Sequence, residues 1–224
     1  MARFGGYIST WWAALVRPES AAALVLDSER GARFSRFLAL AVAVLYAVYG
    51  LSMGVYRGAA ATLFSALKLP LLYLMTISVC FPAFYVLNCF YEHRLSARQC
   101  LRLLLIATST NALALASFAP VSLFFSLTTS KAGYTFIVLL QVAVFAVAAL
   151  LSVVAIGLIF RATAASLDRR LRPSLVVSWA ALYAVVLSQM SWVLRPWIGT
   201  WTMPYRPFRA IGGSFIETMM QMLF

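Results

Sequence analysis

Five long apolar runs constrain this chain more than any other feature. They are 37–55 (FLALAVAVLYAVYGLSMGV), 69–90, 101–127, 134–160 and 174–194. None contains Asp, Glu or Lys, and only Arg102 sits inside an edge. A helix of about 20 residues crosses the hydrocarbon layer of a bilayer. A barrel strand would be about ten residues long and alternating, and these runs are neither. The pattern predicts an all-α, polytopic integral membrane helical bundle with about five transmembrane helices. The third and fourth runs exceed the minimum, which predicts tilt or interfacial ends.

Composition agrees. The 224 residues are 63% hydrophobic and 11% charged, whereas a soluble surface usually needs about a quarter of its residues charged. A net charge of +12 would point to nucleic acid in a soluble chain. Here the arginines gather between apolar runs, where anionic lipid headgroups are the natural partner and nucleic acid is not. The three cysteines, Cys80, Cys89 and Cys100, form no C-x-x-C pair, and the single His93 leaves a zinc site poorly served. The sequence requires no metal and no cofactor, and the cysteines are expected to be buried apolar residues. Bound lipid is expected.

Basic residues in the flanks set the expected orientation. Twelve fall on one side: Arg3, Arg17, Arg30, Arg33 and Arg36, then Arg94, Arg98 and Arg102, then Arg161, Arg169, Arg170 and Arg172. Six fall on the other: Arg57, Lys68, Lys131, Arg195, Arg206 and Arg209. This bias predicts a cytoplasmic N-terminus, most simply in a bacterial inner membrane.

Three parts follow. Residues 1–36 form an interfacial, amphipathic segment. In it YISTWWAALV reads as a short helix with Trp11 and Trp12 in the headgroup layer. A second helix follows over RPESAAALVLDSERG, with Pro18 at its first position, Glu19 on the N-terminal dipole and Gly31 ending it. Residues 37–195 hold the five spans. Residues 196–224 form an exit collar and a C-terminal amphipathic helix starting near Ser214. In the collar, Arg195, Trp197, Trp201, Arg206 and Arg209 are expected at lipid headgroups or a partner's acids.

Chemistry inside the spans is scarce. No run holds a carboxylate, so proton relays and acid–base catalysis have no residue to work with, and no catalytic residue is assigned. The most polar stretch is ATSTNA in the third run, with Thr108, Ser109, Thr110 and Asn111 pointing all around a helix. Gln141 and Gln189 lie at similar depth, close enough to bond one another or Asn111. These six residues are either interhelical hydrogen-bonding glue or the lining of a polar route. The GLSMG stretch, Gly50 to Gly54, would let another helix approach closely.

Two segments carry a resemblance. ALVRPESAAALVL precedes the first run, and LSARQCLRLLLIATSTNALALASFAP, opening on Ser-x-x-Gln and running to a proline, covers the third. In layout, over residues 7 to 195, the chain resembles bacterial members of the Yip-domain family of five-span membrane proteins. The Asp-Leu-Tyr-Gly-Pro signature of the eukaryotic members is absent, so the resemblance does not extend to vesicle trafficking. QMSWVLRPWIG is similar to segments of uncharacterised polytopic membrane proteins. The resemblance implies a small helical scaffold with no catalytic residue. The expected function is a non-catalytic accessory or scaffolding subunit of a larger membrane complex, with other membrane subunits as partners. The alternative is a small-solute transporter or channel with its route through spans 3 to 5.

Overall fold

The structure is a computed structural model that describes residues 2–27, 31–90, 95–130, 133–167 and 173–194. The collar and C-terminal helix, with Arg195, Trp197, Trp201, Arg206 and Arg209, lie outside the described residues, as do Glu92 and His93.

Every regular element among the described residues is helical. They are α1 (Ala2–Val16), α2 (Pro18–Leu26), α3 (Gly31–Gly54), α4 (Ala59–Phe90), α5 (Ala97–Thr128), α6 (Tyr134–Ser166) and α7 (Pro173–Val193), with one 3₁₀ turn at Val55–Arg57. The last five are long and apolar enough to cross a membrane. The all-α expectation therefore holds. Helices are what lipid demands, because each backbone N–H must find its carbonyl within the segment.

Helix ends show how the sequence starts and stops these elements. Pro18 opens α2, where its missing N–H costs nothing. The helix ends at Leu26, when Asp27 turns extended and its N–H closes back on the Ala23 carbonyl. Gly31 therefore does not terminate α2, as the sequence led us to expect, but opens α3. Ser96 and Gln99 form a reciprocal capping box at the start of α5. The Ser96 N–H donates to Gln99 Oε1 at 2.8 Å, and the Gln99 N–H to Ser96 Oγ at 3.3 Å. This gives the Ser-x-x-Gln motif a plain physical role.

The chain divides into two compact units. One comprises residues 1–42, 80–114 and 147–181. Its interior is built from Phe34 and Leu38 of α3, Leu103 and Ile106 of α5, and an aromatic trio. In the trio, Phe84 meets Phe160 and Trp179 edge-on, at 6.2 and 5.6 Å between ring centroids.

The other unit comprises 43–79, 115–146 and 182–224. Here Tyr46 and Tyr73 stack in parallel at 4.0 Å. The α3–α4 turn lies in this unit. Gly58 sits at φ 110°, a conformation that only glycine adopts at little cost. Beyond it α4 returns so close to α3 that a Cβ on Gly54 would lie 2.4 Å from Thr62 Cα. A Cβ on Gly50 would lie 2.5 Å from the Ser65 carbonyl oxygen. The helix that the GLSMG stretch admits is α4 of the same chain.

One boundary differs in a way that matters. The second span was expected from residue 69, with no lysine inside. Helix α4 begins ten residues earlier, at Ala59, so Lys68 lies within a candidate span. The lysine interrupts the apolar run and so resembles a flank in sequence, but helical hydrogen bonding passes through it.

Candidate functional site

Taken from the residues upward, the polar groups form one cluster in each unit. In the first, α5 supplies the ATSTNA stretch. Thr108, Ser109 and Asn111 are buried and Thr110 is half-buried. Ser109 Oγ donates to the Ile106 carbonyl at 2.6 Å and accepts the Trp11 indole N–H at 3.0 Å. Ser152 of α6 donates to the Ala107 carbonyl at 3.2 Å. Two parts of the sequence that were read separately, the N-terminal tryptophans and the polar patch, thus meet.

That meeting gives Trp11 a partner within the protein. Its ring packs edge-on against Phe37 at 6.4 Å, beside Tyr7, which stacks on Phe37 at 5.6 Å. Trp12, one residue on, lies on a different face and is exposed. Adjacent helical residues lie on different faces, so the pair divides between protein and surroundings.

Arg102 supplies the other feature of this unit. Only 4% exposed, it extends Nη1 to the Val25 carbonyl at 3.2 Å and to the Asp27 carbonyl. The first is in the last turn of α2 and the second belongs to its C-cap, where carbonyls have no partner within the helix. A guanidinium there satisfies both and meets the negative end of the helix dipole. Read from sequence as a basic flank, Arg102 is an interior cap. Also in this unit, Asn88 donates to the Leu95 carbonyl at 3.3 Å. Cys80 and Cys100 are buried as expected, but Cys89 is exposed.

In the second unit Gln141 is the hub. Only 3% exposed, it accepts the Tyr49 hydroxyl at Oε1 and donates from Nε2 to Ser122 Oγ at 2.8 Å. Its amide is engaged there, which corrects the expectation that it would pair with Gln189 or Asn111. Gln189 is half-buried on α7. The four residues Thr108 to Asn111 belong to one unit and the two glutamines to the other. No signal in the sequence marks Tyr49 as Gln141's partner, since α3 and α6 are apolar on all sides. Replacing Gln141 with leucine should cost about 1–2 kcal/mol, near the upper end for a membrane hydrogen-bond pair. Unfolding in mixed detergent micelles measures it, and a Tyr49→Phe background should absorb part of the loss.

Lys68, read from sequence as a basic flank, is an interior residue. It is only 2% exposed, and its Nζ donates to the Leu194 carbonyl at 3.0 Å, just past the end of α7. An ionisable group inside a span is costly unless it faces protein, and here it serves a helix C-terminus as Arg102 does.

Among the described residues, no three His, Cys, Asp or Glu come together as a metal site. The clusters can hold helices in register and cap their ends. No family model, curated protein or solved structure matches this chain. What the fold defines is a class, an all-α integral membrane protein with five helices able to span a bilayer.

Proposed function

We propose that this chain is a non-catalytic accessory or scaffolding subunit of a larger membrane protein complex. The observation that carries the reading is the state of α7. In its most apolar window only 6% of residues are fully buried by the chain itself, against 56% in α5, and most of the others are half-buried. Yet α7 is not a plain lipid-facing rod, because Gln189, Ser191 and Trp192 lie on it half-buried. In lipid, helices associate through close packing and side-chain hydrogen bonds rather than through the hydrophobic effect. A span with such side chains and so few fully buried residues is suited to a neighbouring subunit's helix.

Membership of the Yip-domain family, a bacterial inner membrane and a cytoplasmic N-terminus belong to the same proposal. So do contacts of the basic flanks with anionic headgroups and a requirement for no cofactor beyond bound lipid. The test is native mass spectrometry after gentle extraction from the source membrane. Larger partners in fixed stoichiometry are expected, and a lone monomer would overturn the reading.

A second reading, a small-solute transporter or channel, draws on one observation, the buried Lys68 within a candidate span. It predicts flux in liposomes containing the purified chain, and loss of that flux on Asn111→Leu or Gln189→Leu substitution.

A further inference from the structure

We infer that α1 is immersed below the headgroups of one leaflet, with the face formed by Ile8, Trp12 and Val16 packed against lipid acyl chains. An interfacial helix keeps a charged or polar face in water. Between Gly6 and Val16, α1 has no charged residue. Its two hydroxyls turn back on the helix itself. Ser9 Oγ and Thr10 Oγ1 both donate to the Gly6 carbonyl, at 3.1 and 2.6 Å. That is how hydroxyls are accommodated where water is absent.

The two faces of α1 have different tasks. Tyr7 and Trp11 turn toward α3 and α5, and Ala14 is buried. On the other side Ile8, Trp12 and Val16, at intervals of four residues, are 53, 63 and 59% exposed. Neither face is polar, so neither calls for water.

Depth along α5 supports the same placement. Ser109, which holds the Trp11 indole, lies seven residues beyond Arg102, or roughly 10 Å at the helical rise. It is within four residues of the middle of α5, well inside a hydrocarbon layer about 30 Å thick. The Arg102 cap adds a third argument. At the end of α2, a buried guanidinium takes the carbonyls that water would solvate at an exposed helix end.

The experiment compares the wild-type chain with Trp12→Phe in phosphatidylcholine vesicles and reads the difference in tryptophan fluorescence. Phosphatidylcholine brominated in its acyl chains should quench the Trp12 component, and aqueous iodide should not. Quenching by iodide would overturn the inference by placing this face in water. Protection from both quenchers would also overturn it, because protein would then cover the face. Should Trp12→Phe fail to fold, Ile8→Cys provides the same test. A charged maleimide should leave Cys at position 8 unlabelled in intact vesicles and label it after denaturation, as read by peptide mass. Rapid labelling in intact vesicles would refute acyl-chain contact.

Discussion

Gly54→Val is expected to cause one of the largest losses of folded protein of any single substitution in this chain. A Cβ at Gly54 would lie 2.4 Å from Thr62 Cα and 2.7 Å from the Ala61 carbonyl oxygen. These are backbone atoms of α4, so no side-chain rotation can relieve the collision. Overpacking typically costs about 1–3 kcal/mol and sometimes more. A backbone collision at the closed end of a helix pair belongs at or above the top of that range.

Gly54→Ala should already show most of the effect, and Gly50→Ala should follow closely. Gly157 on α6 provides the control, because a Cβ there meets nothing within 4 Å. Gly157→Ala should be neutral or stabilising, by up to about 1 kcal/mol from helix propensity. Thermal unfolding in one detergent, compared across the four variants, decides the matter. Equal losses at positions 54 and 157 would show that α3 and α4 are not in close contact.

Arg102→Leu is expected to release α2 from the first unit. The substitution leaves the Val25 and Asp27 carbonyls without the guanidinium that both accept from. Each buried polar group left unbonded costs about 1–3 kcal/mol, so roughly 2–6 kcal/mol is at stake for the two carbonyls. The five long helices should still insert, since none depends on this contact for its apolar length. The loss should therefore be local, with faster hydrogen exchange and proteolysis across residues 2–27 and little change in α3 to α7. Arg102→Lys should recover only part of the protection, because an ammonium keeps the charge but not the planar fork. Uniform exchange in wild type and Arg102→Leu would rule out the capping role.

Much of the fold was legible in the sequence, for a reason peculiar to lipid. Runs of about 20 apolar residues leave few alternatives to a helix, so the spans could be counted without knowing what each packs against. Local chemistry was legible too: Pro18 opens α2, Ser96 and Gln99 cap α5, and Gly50 and Gly54 admit a helix. The candidate site was much less so. Trp11 and Trp12 read alike in sequence, but one bonds within the protein and the other is exposed. Lys68 read as a flank because a charge ends an apolar run, although it does not end a helix. Gln141 stood out as polar in an apolar stretch, but nothing in that stretch indicates which side of α6 faces Tyr49 and Ser122.

In a soluble helix, the alternation of polar and apolar residues points to the core. Spans that are apolar all round carry no such mark, because lipid and protein interior are nearly alike to a leucine. Composition and run length alone therefore determined the all-α class and the five helices able to span a bilayer. Which faces meet, and which buried cation caps which helix end, was decided only in the tertiary structure, where close packing and hydrogen bonding replace the hydrophobic pattern as the source of specificity.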